Sequence, residues 1–287
     1  MSVEEHRVEL GSITLNYAEG PDRGPPLVLV HGGSNRWQRF ERVLDPLTEH
    51  AHVFAPDLRG HGGSTWTPGR YRHFDHAVDI ETVLERVVRE PAIVLGHSLG
   101  GEIALIVASE RPDLVRAVID EDGPLSADGA RRAVVPTRPM LRAMREICGS
   151  SLPDVELERL VGEMPVWGMS REPARFGNLV GWDEDALAEA ASTYRHNDPD
   201  MVDAVIEFEE MHAGYGDEVL AEIVCPVTIL QADPSVGGVL TDDEVELALS
   251  VLSDGLSIRF DGLGHSIHMD HPERFLAAVL PLLDAFG

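Results

Sequence analysis

The sequence predicts an α/β protein: a mostly parallel, doubly wound sheet with a helical insertion. Three observations predict it. Short continuous apolar runs alternate with longer amphipathic ones, the alternation lapses over residues 123–222, and it then resumes. Runs that are apolar throughout suit strands covered on both faces, as parallel strands are.

Taken in order, strands are expected at 13–17, 27–31, 52–56, 92–95, 115–120, 227–231 and 256–260. Helices are expected between them at 39–47, 75–89, 99–110, 241–252 and 272–286. In the second helix Val78, Val83, Leu84, Val87 and Val88 recur at helical spacing, as Phe275, Leu276, Val279, Leu280 and Leu283 do in the last. The stretch 123–222 shows helical patches broken by Pro136, Pro139, Pro153, Pro165 and Pro173. The chain therefore divides into a first core segment (1–122), a helical cap (123–222) and a second core segment (223–287). A cap so placed lies over the carboxyl edge of the sheet, where such folds bind ligands.

Composition narrows the partners. The 287 residues carry 23 basic and 50 acidic side chains, a formal charge of -27, so nucleic acid and anionic membrane surfaces are excluded as partners by repulsion. All 23 basic residues are Arg, which excludes a lysine Schiff base and a covalently held pyridoxal cofactor. Cys148 and Cys225, far apart, make no disulfide framework and read as buried thiols. The acidic N-terminus lacks a signal-peptide profile and no run is long enough for a membrane span, so a cytoplasmic protein is expected.

Chemistry is concentrated in three loops. Gly96-His97-Ser98-Leu99-Gly100 joins an apolar run to a helical one, the pattern of a nucleophile elbow. Small residues two positions either side allow the sharp turn, which exposes the Ser98 hydroxyl and aims the Leu99 N–H at a developing oxyanion. His31-Gly32-Gly33-Ser34 follows a strand, and the Gly33 N–H supplies a second oxyanion donor; His31 reads as structural. Gly262-Leu263-Gly264-His265 follows the last strand and offers His265 as general base. His268 and His271 follow at spacings of three, but the flanking glycines and proline oppose one metal-binding face, and no metal is expected. Two loops offer an orienting acid, Asp120-Glu121-Asp122 and Asp233; Glu121 points away from Asp120 and Asp122 if the strand continues.

With HGGS at 31–34, DLRGHGGS at 57–64, GHSLGG at 96–101 and GLGH at 262–265, the chain resembles the α/β-hydrolase fold family over nearly its whole length. The resemblance is to its capped serine hydrolases of esterase or lactonase type, which need no cofactor. Much of that family takes the acid from a G-x-x-D-P pattern after the next core strand, whereas here Asp233 stands two residues early. A second group takes it just after the sixth strand, and that alignment implies Asp122. The resemblance implies bracing roles for Asp57, Arg59, His61 and Ser64, with Asp57 and Arg59 read as a pair.

The resulting expectation is a hydrolase for a small hydrophobic ester or lactone, with Ser98, His265 and Asp122 as triad and Gly33 and Leu99 as oxyanion donors. Carbon–carbon, amide or thioester hydrolysis on the same triad, a cofactor-free lyase and a low-turnover receptor are the alternatives. A homodimer is compatible with the sequence. Met140, Met144, Met164, Met169, Met201 and Met211, with Trp167, Phe176, Trp182, Tyr194 and Tyr215, either line a substrate pocket or fill the cap's own core; Trp37 faces the same choice.

Overall fold

The computed structural model describes residues 3–166, 175–178, 183–208 and 211–287. Eight strands form one sheet: β1 (Glu4–Leu10), β2 (Ile13–Glu19), β3 (Pro26–Val30), β4 (His52–Pro56), β5 (Ala92–His97), β6 (Val115–Glu121), β7 (Val227–Ala232) and β8 (Gly255–Phe260). Their order is β1-β2-β4-β3-β5-β6-β7-β8, with β2 antiparallel to both of its neighbours, β1 and β4, and the remaining pairs parallel. The central strands β3, β5 and β7 are buried along their whole length, as continuous apolar runs require.

Strand β1 is absent from the sequence expectation. Its residues EEHRVEL are mostly exposed and charged, because it is an edge strand hydrogen-bonded to β2 alone. Charge protects such an edge and also removes the apolar run that would announce a strand.

Helices pack on both faces. On one lie α1 (Glu41–His50) and the C-terminal α11 (Pro272–Phe286), joined through Phe40, Leu44, Leu47, Phe275, Val279 and Leu283 to the undersides of β3 and β5. On the other lie α2 (His73–Val83) and α3 (Leu99–Glu110), packed with Val28, Val94 and Val118. Residues 99–108 of α3 are all buried, since the helix lies between the sheet and other helices. Helix α2 runs on into a π-helical turn at Leu84–Val88.

Between β6 and β7 the chain is helical: α4 (Ala127–Arg145), α5 (Asp154–Glu163), α6 (Glu184–Arg195), α7 (Pro199–Glu207) and α8 (Asp217–Ala221). Pro136 and Pro139 do not break this stretch into patches, as expected from sequence, but lie inside the 19-residue α4. Both prolines are exposed, as are Arg132 and Val135, so the carbonyls that lose their N–H partners face water. Pro153 instead occupies the N-cap of α5, and Pro173 lies outside the described residues. Leu141, Met144, Leu157, Val161, Met164, Met201 and Val202 form a separate small core in this region, together with Tyr71. Tyr71 also donates to Asp198 Oδ2 at 2.5 Å, tying the insertion to the parent fold. Helix α9 (Asp242–Val251) follows β7 and opens on a Thr241–Glu244 capping box. A short α10 (Ile267–Asp270) follows β8.

Candidate active site

Ser98 stands between β5 and α3 with φ 54° and ψ −121°, a combination that costs an L-residue on the order of 1–3 kcal/mol. The glycines around it explain how the turn is tolerated. A Cβ on Gly96 would lie 2.1 Å from the Gly100 carbonyl oxygen, and one on Gly100 would lie 2.0 Å from the Val30 oxygen. The elbow therefore closes only with hydrogen at both positions, and it seats directly on the end of β3. Ser98 N donates to Glu121 O at 3.0 Å, fixing the elbow to β6. The side chain remains partly accessible to solvent.

The three acids after β6 have separate surroundings. Asp120 is buried beneath the elbow, accepts from Gly123 N at 3.0 Å, and has its carboxyl pKa raised well above the ordinary range by burial and by the Asp122 charge. Glu121 turns to the opposite face, where its carboxylate accepts from His268 N at 2.9 Å and lies 2.7 Å from His268 Nδ1. Asp122, in the left-handed region at φ 51°, accepts from the N–H groups of Ala232 (3.1 Å), Val239 (2.7 Å) and Leu240 (3.3 Å). Its Oδ2 lies 2.8 Å from His265 Nδ1. A fully buried carboxylate with those donors is held in one orientation, and it fixes the imidazole with Nε2 outward.

Asp233, the alternative acid, is elsewhere. It accepts from Ser235 N at 2.8 Å and Gly262 N at 2.9 Å, and these hydrogen bonds lower its carboxyl pKa to about 2. It thus braces the loop that carries His265 without touching the ring.

His265 is also gripped through its backbone: His97 Nε2 lies 3.1 Å from the His265 carbonyl oxygen, to which it donates, and the two rings are 4.7 Å apart. Since His97 precedes Ser98, this contact brings the loop after β8 against the elbow. Ser98 and His265 share no hydrogen bond among the described residues, the loose arrangement common before substrate binds.

The loop at residues 31–34 packs on the same point. A Cβ on Gly32 would lie 3.2 Å from Ser98 Cβ. Among the described residues neither the Gly33 N–H nor the Leu99 N–H donates to a protein acceptor. Two buried histidines clamp this loop. His31 Nε2 accepts from Leu58 N at 3.0 Å while Nδ1 donates to Gly32 O; His61 Nε2 accepts from Ser34 N at 3.1 Å while Nδ1 donates to Arg59 O. Burial lowers their pKa values to about 4 and about 3, so both rings are neutral, as accepting an N–H requires.

The expected Asp57–Arg59 pair is not formed. Asp57 accepts from Trp37 N, Asn16 Nδ2 and Gly63 N, whereas Arg59 makes a bidentate pair with Asp79 at 2.6 Å. Adjacent odd-numbered residues share a loop without sharing a direction, and Asp79 on α2 was invisible to a local reading. Trp37 is a core residue whose Nε1 donates to Glu5 Oε1, and does not face the site. Among the aromatic and methionine candidates, Met144, Met164 and Met201 fill the insertion's own core, while Met211 and Tyr215 pack on the main one. Met169, Trp167 and Trp182 lie outside the described residues.

Residues 25–141 match the model of the alpha/beta hydrolase fold family. A solved structure of E-2-(acetamidomethylene)succinate hydrolase superposes with a TM-score of 0.77 over 98% of this chain and 99% of its own, at 21% identity. The fold of this chain is therefore that of the α/β hydrolases. Among curated α/β-hydrolase relatives, 2-(acetamidomethylene)succinate hydrolase of Mesorhizobium japonicum is 37% identical over 116 residues, 40% of this chain and 41% of that protein. The chain thus spans about two fifths of the length of the first curated relatives it matches. A second similar α/β-hydrolase structure is the N-formylmaleamic acid deformylase of Pseudomonas putida, with a TM-score of 0.73, 20% identity, and coverage of 96% and 99%. No helix among the described residues is long and apolar enough to cross a membrane.

Proposed function

We propose that the protein is a serine hydrolase acting on a carboxylic ester or lactone of a hydrophobic small molecule through an acyl-enzyme. The observation that carries this reading is the 2.8 Å contact of His265 with the buried Asp122 beside a serine on a strained elbow. Ser98 Oγ attacks the carbonyl carbon as His265 Nε2 takes its proton, and Asp122 stabilises the imidazolium. The N–H groups of Gly33 and Leu99 hold the oxyanion. The leaving alcohol takes the proton back from His265, and water activated by the same ring releases the acid and frees Ser98.

A second reading, amide hydrolysis on an acid-bearing substrate, is favoured by two arginines in the segment after the 31–34 loop. Arg36 and Arg39 flank the segment that follows the 31–34 loop, and each has a buried Nε without an acceptor. Arg36 reaches Ser192 on α6, and Arg39, which stands 4.0 Å from Glu189 on the same helix, acts by its charge on both His97 and Tyr194. In a chain of net charge -27 these cations offer a place for a carboxylate, and two similar proteins are named for succinate- and maleamate-type compounds.

One experiment tests both. The wild type and Ser98→Ala are assayed against nitrophenyl esters, lactones and short acidic amides, with a fluorophosphonate probe to trap the nucleophile. Labelling and turnover that vanish in Ser98→Ala support the serine mechanism, and the preferred bond chooses between the readings. Equal turnover in the two proteins, or no labelling of the wild type, would sink it.

A further inference from the structure

On the far side of α3 from His265 lies a second cluster of chemically active side chains. His73 opens α2, Glu102 stands one turn into α3, and His212 comes from the segment between α7 and α8; all three are buried. His73 Nε2 lies 3.3 Å from Glu102 Oε2, and His212 Nε2 lies 3.6 Å from Glu102 Oε1. The two rings meet edge to face at 4.2 Å.

The hydrogen-bonding pattern is incomplete in one direction. His212 Nδ1 lies 3.1 Å from the Phe208 carbonyl and can only donate to it, so a neutral ring turns the Nε2 lone pair toward Glu102. Among the described residues Glu102 Oε1 has no hydrogen-bond partner, and neither nitrogen of His73 has one. The His212 Nε2 lone pair and the Glu102 carboxylate thus face each other in a buried interior, where an unpartnered polar group costs about 1–3 kcal/mol on its own. A cation at the centre would satisfy them together.

We infer that His73, Glu102 and His212 form a buried site for a divalent transition-metal ion of the zinc class. The three residues each offer one ligand atom within 4.8 Å of the others, and the 3.3 and 3.6 Å approaches of the two imidazoles, one to each Glu102 oxygen, leave space for an ion among them. Imidazole nitrogens with a carboxylate oxygen are a set that suits zinc and its neighbours. The Phe208 carbonyl on His212 Nδ1 is the outer partner that metal-binding histidines ordinarily have.

The other buried group, His97, Glu121 and His268, differs in the decisive respect. His268 Nδ1 stands 2.7 Å from Glu121, a direct hydrogen bond with no room for an ion between. The inferred ion joins α2 and α3 of the parent fold to the helical insertion, one helical turn from Ser98. Its role is that of a clamp, and the inference is independent of the reaction at Ser98.

The test uses the full chain, stripped with a chelator and reloaded with zinc or cobalt(II). Retention of about one zinc per chain after gel filtration is expected, with visible cobalt bands that the stripped protein lacks and a higher melting temperature than the stripped protein. Glu102→Gln and His212→Asn should lose the ion, whereas His268→Asn should keep it. Absence of bound zinc and of cobalt bands in the wild type would overturn the inference, leaving a shared proton as what holds the cluster together. Zinc bound equally by wild type, Glu102→Gln and His212→Asn would overturn it too, and because the wild-type spectrum is read directly, a variant that fails to fold does not spare it.

Discussion

His265 Nδ1 stands 2.8 Å from Asp122 Oδ2, and Asp122 reaches that point through a left-handed backbone turn (φ 51°) at the end of β6. The strain is held by three backbone N–H groups, from Ala232, Val239 and Leu240, that converge on the carboxylate. The loop after β7 therefore supplies the donors for the acid, and the loop after β6 supplies the acid.

Asp122→Asn should lower turnover by about 10⁴-fold, the scale seen when an amide replaces the orienting carboxylate of a serine triad. Asp233→Asn should leave turnover near that of the wild type, because Asp233 accepts from Ser235 and Gly262 and pairs with Arg259, and none of these contacts reaches the His265 ring. Steady-state kinetics on both variants, with circular dichroism to verify folding, decides the matter. The reverse ranking would transfer the acid to Asp233.

The histidine clamp on the 31–34 loop predicts a pH effect on stability. His31 and His61 titrate at about 4 and about 3 in the folded protein, against 6.5 for the ordinary side chain. Unfolded chains therefore bind protons first, so the clamp's contribution is complete above pH 6.5 and is lost as pH falls toward 4 and then 3. His61→Gln keeps an acceptor for Ser34 N without the titration. Urea midpoints measured from pH 7 to pH 4 should fall less steeply in that variant, and parallel curves would refute the assignment.

Gly100→Ala tests the elbow's fit. The added methyl would meet the Val30 carbonyl oxygen at 2.0 Å, and both partners are backbone. A loss of about 1–3 kcal/mol is expected from overpacking, with near-complete loss of turnover as Ser98 shifts. Thermal melts and a probe-labelling assay read the two effects separately.

Arg59 and Asp79 form a buried bidentate pair at 2.6 Å between the 57–64 loop and α2. Asp79→Asn would leave a guanidinium in the interior without its counter-charge, which typically costs about 3–5 kcal/mol. Chemical denaturation should show it as a lower midpoint with an unchanged slope. A midpoint within error of wild type would mean that water reaches Arg59.

The serine's turn was legible in the sequence because a Cβ at Gly96 or Gly100 would clash with backbone, whereas His265 was read from the GLGH pattern after the last strand. Strand identity was equally legible where both faces are covered, as in β3 and β5, and failed at β1, whose charged residues face water. Asp122 was preferred to Asp233 only through the alignment after the sixth strand, because the loop after β7 that lends it N–H donors carries no local pattern. His73, Glu102 and His212 gave no signal at all, since their spacing is set by packing of α2 and α3 against the insertion. The Asp57–Arg59 misreading has the same cause: neighbours in sequence were paired where the fold pairs across elements.

In the parallel ladder, Gly96 is paired with Asp120 and His97 with Glu121, so Ser98 and Asp122 leave adjacent strands at the same height. Their separation is dictated by the sheet's hydrogen-bond spacing and owes nothing to the helices between β6 and β7. Shortening or lengthening the helical stretch between β6 and β7 therefore leaves the spacing of Ser98 and Asp122 unchanged.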